Sequence, residues 1–227
     1  MADLIITIDG PAASGKSSVA CRLAEKLDAT FLDTGAMYRA VTLAAMQAGV
    51  DMNDEDELLR IMQRSDFQFS AEQGKMAVCI NGIDVTEQIR YPEVTTNARH
   101  IASKPSLRAE LVQMQRQFAA GAKKIVTEGR DQGTVAFEDA DIKFYLTADS
   151  HQRAKRRQAE LQEKGDAESL EQIQKAIEER DKGDESRTVG PLKPADDAIV
   201  VDTTNLTLEQ VVEKVLRCVK EKCPKKS

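Results

Sequence analysis

Eight residues near the start of the chain, Gly10-Pro11-Ala12-Ala13-Ser14-Gly15-Lys16-Ser17, have the types and spacing needed to hold a polyphosphate. The pattern G-x-x-x-x-G-K-S places glycines where the backbone must turn, so that successive N–H groups point at phosphate oxygens. Lys16 adds a mobile positive charge. Ser17 begins a helix-like run with Ser18, where its hydroxyl can ligate Mg²⁺ and the helix N-terminus favours an anion. The alternative, a glycine-rich turn with a capping serine, leaves Lys16 unexplained.

Four further segments carry charge at positions that invite chemistry. Asp33-Thr34-Gly35 follows a short apolar run, with Arg39 one to two helical turns beyond. If the two strands are neighbours, these residues stand beside the phosphate loop. Asp33 then orients Mg²⁺ through water while Thr34 and Arg39 take a second phosphate; otherwise Asp33 or Thr34 merely caps a helix. In Glu128-Gly129-Arg130-Asp131, adjacent cation and carboxylate point different ways. They suit a phosphate and an amine or hydroxyl of one ligand, or else form loop ion pairs.

Continuing the apolar stripe Leu170, Ile173, Ile177 at spacings of three and four gives Arg180, Asp184 and Arg187. A face that packs inward at one end therefore meets an anionic ligand in a cleft, or ends in solvent with Arg180 and Asp184 paired; Gly183 is a place for the helix to stop near Asp181. Arg153, Arg156 and Arg157 lie on one side of another predicted helix. They either meet a polyanion or are balanced by Glu160 and Glu163. His100 and His151 have no partners at metal-ligand spacing.

These residues need strands and helices to present them. Short apolar runs at Leu4–Ile8, Thr30–Leu32, Lys124–Thr127, Ile142–Leu146 and Ala198–Val201 read as buried parallel strands. Helical patterns separate them, including Pro105–Phe118, Ser150–Lys164, Leu170 to about Asp181 and Leu208–Lys222. Such alternation predicts an α/β fold whose ligands gather at the carboxyl ends of the strands. Between Asp51 and Arg90 the pattern changes to period two around Phe67, Phe69, Met76–Ile80 and Ile83–Val85. The Asn81-Gly82 pair there predicts a hairpin, hence an inserted antiparallel sheet or a plain surface hairpin.

With 227 residues the chain is long enough for a substantial core. A net charge of -6 argues against a nucleic-acid surface. Cys21, Cys79, Cys218 and Cys223 lack C-x-x-C spacing and read as reduced thiols of a cytoplasmic protein. The N-terminus reaches its first strand without a basic, then apolar, leader, and the sequence offers no apolar run of about 18 residues for a membrane span.

Taken in order, IDGPAASGKSS, FLDTGAMYRA, NGIDVTEQIR, EGRDQGTVAF and the RDKGDESR segment resemble the bacterial cytidylate kinases, members of the nucleoside monophosphate kinase group of P-loop proteins. The similarity runs from about Leu4 to Arg217. It implies a three-layer fold with a five-stranded parallel sheet, a small antiparallel sheet inserted in the monophosphate-binding region, and a helical lid. The core would comprise 1–40, 105–150 and 188–227, the monophosphate-binding region 41–104, and the lid 151–187. The resemblance further implies transfer of the γ-phosphoryl group of ATP, with Mg²⁺, onto CMP or dCMP by a monomer.

By motif, residues Gly10 to Ser18 would hold ATP, and Ser17 and Asp33 the metal. Thr34, Arg39, Arg130 and Arg187 would hold the acceptor phosphate, Arg108 and Asp131 would read cytosine, and Arg180 with Asp184 would contact the sugar. Arg153, Arg156 and Arg157 resemble lid arginines that neutralise charge during transfer; Lys16, Asp33, Arg130, Arg153 and Arg157 form the implied catalytic set. The sequence differs from the family pattern at Arg99-His100, where relatives often place a serine near the base.

Overall fold

The computed structural model describes residues 2–72, 75–163, 165, 168–224 and 226. Five strands, β1 (Leu4–Asp9), β2 (Thr30–Asp33), β6 (Lys124–Gly129), β7 (Ile142–Thr147) and β8 (Ile199–Asp202), form one parallel sheet. Its order is β2-β6-β1-β7-β8. Each strand coincides with one of the apolar runs. All five continue one or two residues beyond the run, bringing Asp9, Asp33, Glu128 and Gly129 to the carboxyl rim.

Alternation along β1 divides the core. Leu4, Ile6 and Ile8 face a layer built with α1 (Lys16–Leu27) and α8 (Leu208–Lys222), while Ile5 faces α2 (Thr34–Ala48) and α5 (Pro105–Ala120). The opposite directions of successive side chains in a strand produce these two layers. In α5, Pro105 lies in the first turn, where its missing N–H costs nothing; Leu107 and Leu111 are fully buried and Met114 and Phe118 pack beside them.

Between α3 (Glu55–Arg64) and α4 (Pro92–Ala102) lies a three-stranded antiparallel sheet of β3 (Phe67–Glu72), β4 (Lys75–Ile80) and β5 (Ile83–Asp84). The predicted turn joins β4 to β5: Asn81 and Gly82 take φ of 52° and 78°, as a tight two-residue hairpin requires. Met76, Val78, Ile80 and Val85 enter the same core as α2, so the insertion is packed rather than a surface hairpin.

Two helices cover the carboxyl rim, α6 (Ser150–Gln162) and α7 (Leu170–Glu185). α6 ends before Lys164, which lies outside the described residues. α7 does not stop near Asp181; it runs through Gly183 to Glu185, because one glycine costs only about 1 kcal/mol and buried Ile173, Ile177, Asp181 and Asp184 hold that face. Among the described residues no helix is long and apolar enough to cross a membrane.

Candidate active site

The phosphate loop leaves β1 and enters α1. Gly10, at φ 148°, passes so close to the next strand that a Cβ would overlap the Leu146 carbonyl oxygen. Gly15 sits at the N-cap of α1 with φ 90°. Among the described residues no side chain caps the helix, so its first N–H groups can receive an anion, with Ser17 and Ser18 exposed beside them. The Lys16 ammonium is folded back, donating to the Pro11 carbonyl at 2.6 Å and to Ser14 Oγ at 3.4 Å. Burial and the nearby Arg130 guanidinium push its pKa down.

Asp33 and Thr34 lie at the end of β2, but β2 is not the neighbour of β1. β6 separates them, so Glu128 stands between the phosphate loop and Asp33. Ser17 Oγ donates to Glu128 Oε1 at 2.8 Å and Thr34 Oγ1 to the Glu128 carbonyl at 2.7 Å. Asp33 both caps α2, accepting from Ala36 N at 2.9 Å, and pairs with Arg39 at 3.1 Å. Burial, then the adjacent Asp33 carboxylate, raise the Glu128 pKa. Two carboxylates with a serine hydroxyl make a donor set in want of a cation.

Opposite them is a cluster of cations. Arg130 Nε donates to Asp184 Oδ2 at 2.8 Å, and Arg187 pairs with the other oxygen of the same carboxylate. Burial opposes the charge on Asp184, but Arg130, Arg187 and Arg180 together hold its pKa below the usual range. Desolvation and the like charges of Arg130, Arg39 and Arg187 push Arg180 down to about 10, even though its side chain reaches solvent. Among the described residues, the buried Arg39 Nε has no hydrogen-bond partner. Arg130 and Arg187 around the shared Asp184 carboxylate, with Arg180 and Arg39 near, make a cluster of like charges that an anion can relieve.

Asp131, adjacent to Arg130, turns the other way and forms a buried ion pair with Arg108. Arg108 also donates to the Ala102 carbonyl at 3.1 Å and lies over the Tyr38 ring, 5.6 Å from its centre, while among the described residues its Nε has no partner. Asp9 fixes the segment that carries this pair. Its carboxylate accepts from Gln132 N at 2.9 Å and Gly133 N at 2.8 Å, holding the start of a π-helical turn at Gln132–Ala136. Burial nevertheless pushes its pKa up to about 7.

Arg153, Arg156 and Arg157 diverge rather than crowd one face. Arg153 is buried, donating to the Ala148 and Ala12 carbonyls at 3.0 Å each and pairing with Asp181. Arg156 is tied to Thr203, with NH1 3.0 Å from its Oγ1. Arg157 pairs with Glu160 at 3.0 Å on the surface, as the solvated alternative expected. Arg99 is exposed in the last turn of α4.

Sequence reasoning passed over Asp9, Glu128 and Asp181. The first two were visible as acidic residues at the ends of predicted strands. The third was visible as the position four beyond Ile177 on the inward stripe.

A parallel sheet with a phosphate loop after its first strand, and a cluster of guanidinium groups on the same rim, have the arrangement of an ATP-dependent P-loop phosphotransferase. The sequence matches the family described as cytidylate kinase over residues 6–221. It is 44% identical to a cytidylate kinase from Lactobacillus johnsonii over 217 residues, covering 96% of this chain and 94% of that one. A cytidylate kinase from Rhodopirellula baltica is 45% identical over 218 residues, covering 96% and 93%. The chain belongs to the cytidylate kinase family of nucleoside monophosphate kinases. A solved structure of an uncharacterized protein from Eubacterium ventriosum aligns with TM-score 0.52 and 14% identity over 96% of this chain and 99% of that one, a likeness of fold alone.

Proposed function

We propose that the protein transfers the γ-phosphoryl group of ATP to CMP or dCMP, yielding ADP and CDP or dCDP. The observation that carries this reading is the guanidinium cluster of Arg39, Arg130, Arg180 and Arg187 across the rim from the phosphate loop, because a protein that only holds ATP needs no second anion site. ATP phosphates lie against the N–H groups of residues 10–18, and Lys16 exchanges the Pro11 carbonyl for phosphate oxygens. Thr34, Arg39, Arg130 and Arg187 receive the acceptor phosphate, and Arg180 with Asp184 lies toward its sugar. Such transfer relies on positioning and charge stabilisation.

The Ser17, Asp33 and Glu128 oxygens fit Mg²⁺, a hard cation that keeps several waters and takes one or two carboxylates. Among the described residues no group of three or more His, Cys, Asp or Glu side chains could hold a metal ion. When bound, Mg²⁺ supplies charge neutralisation on the phosphates. Arg157, held among the described residues only by its exposed pair with Glu160, is the arginine free to swing over the donor, while Arg153 touches the phosphate loop directly.

Base choice falls to the buried Arg108–Asp131 pair. The cytosine exocyclic amine donates to the Asp131 carboxylate, and ring N3 and O2 accept from Arg108. Uracil would set a carbonyl against the carboxylate, leaving buried polar groups unpaired. An acceptor panel with ATP, Mg²⁺ and CMP, dCMP, UMP, AMP or shikimate tests this. CMP or dCMP should have the highest kcat/KM; no turnover of either at saturation would overturn the reading.

A further inference from the structure

The phosphate loop contains a backbone conformation that its own residues do not favour. Ala13 has φ 56°, a left-handed value that costs an L-residue with a Cβ roughly 1–2 kcal/mol. Strain of this kind persists only where the surroundings over-determine it. The peptides around Ala12 are held from outside the loop. Ala12 N–H donates to Asp181 Oδ1 at 2.9 Å, and the Ala12 carbonyl accepts from Arg153 NH1 at 3.0 Å. Asp181 and Arg153 also form a buried ion pair with each other, and Arg153 Nε is anchored to the Ala148 carbonyl. Around this knot Ala12 packs with Ala154, Ile173 and Ile177.

We propose that Asp181, braced by Arg153, is a positioning residue that clamps Ala12 so that Ala13 stays left-handed and the following N–H groups remain aimed at the donor phosphates. Left-handed residues at Ala13 and Gly15 make the concave array of N–H groups that an anion occupies. Without the clamp, Ala13 relaxes, and ATP binding must restore the strained conformation each time. The acceptor side is affected far less, because its cations pair with Asp33, Asp131 and Asp184, and Asp181 acts on Arg130 less than Asp184 and Glu128 do. The inference rests on the reading of residues 10–18 as the ATP site.

The test is a double-mutant cycle measured by titration calorimetry with Mg²⁺ and ATP in the absence of acceptor. Asp181→Ala should weaken ATP binding about tenfold, the order set by a left-handed Ala. CMP binding should change less than about twofold. Adding Ala13→Gly, which removes the Cβ penalty, should restore most of the lost ATP affinity in the Asp181→Ala background. A purely structural loss would not be rescued this way. Should Asp181→Ala unfold, Asp181→Asn keeps the volume, gives up the charge pairing, and carries the same prediction at smaller size. The clamp is refuted if ATP affinity is unchanged, if ATP and CMP weaken equally, or if Ala13→Gly alters both backgrounds by one factor. A parent protein that binds no ATP refutes the donor-site reading itself, and the clamp with it.

Discussion

The two halves of the proposed site are built by different means. The donor half is a continuous run whose ligands are mainly backbone N–H groups, shaped by Gly10, Ala13 and Gly15 and supplemented by Lys16. The acceptor half is assembled from side chains on α2, α5, the end of β6 and α7, already paired with Asp33, Asp131 and Asp184. Backbone ligands depend on conformation; side-chain ligands depend on which carboxylate each cation must leave or keep. Substitutions on the two sides should therefore fail in different kinetic terms.

The largest effect expected is on the donor side. Lys16→Ala removes the one mobile cation of the loop and should lower kcat about 10²–10³-fold, comparable to losing one transition-state donor. Because Lys16 is a desolvated ammonium, a circular-dichroism melt should show little loss of stability. An equal fall in melting temperature would dissolve the distinction between chemistry and folding at this position.

On the acceptor side, Asp131→Ala should raise KM for CMP by roughly 30-fold or more, since truncating one member of a buried charge pair costs at least about 2 kcal/mol. KM for ATP should hold. The unpaired Arg108 should also lower stability, by about 3 kcal/mol in urea titration. If both KM values rise together, the two halves are not separable and the base assignment fails.

Arg157→Ala should cost about tenfold in kcat, or roughly 1.4 kcal/mol, with no change in melting temperature. Its pair with Glu160 is exposed and contributes little to the fold. Unchanged kcat would remove Arg157 from the donor half.

The smallest effect concerns pH. The folded-state pKa of Asp184 lies below its ordinary value because three arginines face it. That stabilisation is present above the unfolded value, near pH 4, and is lost as pH falls through the lower folded value. Asp184→Asn should therefore flatten the decline in urea midpoint below about pH 4. A parallel decline in both proteins would contradict the depressed pKa.

The same division explains how far the site was legible from sequence. The donor loop is local, so spacing alone defines it, and the five parallel strands are continuous apolar runs. The Asn81-Gly82 turn was legible because few residues accept two successive left-handed conformations. Strand order was not. Nothing local says that β6 lies between β1 and β2, so Glu128 is given no role by the sequence although it touches both Ser17 and Thr34. Likewise, a helix-breaking glycine at 183 suggested an early end that tertiary packing of Asp181 and Asp184 overrides. The close sequence spacing of Arg153, Arg156 and Arg157 suggested one shared partner, yet each meets a different one.

In the proposed reaction donor and acceptor occupy one rim together and the phosphoryl group passes directly between them. Initial rates at crossed concentrations of ATP and CMP, with Mg²⁺ and with ADP and CDP both quantified, test it most directly. Lines that intersect in double-reciprocal plots, with one CDP formed per ADP, are the predicted result. Parallel lines, or ADP formed without CDP, would contradict it.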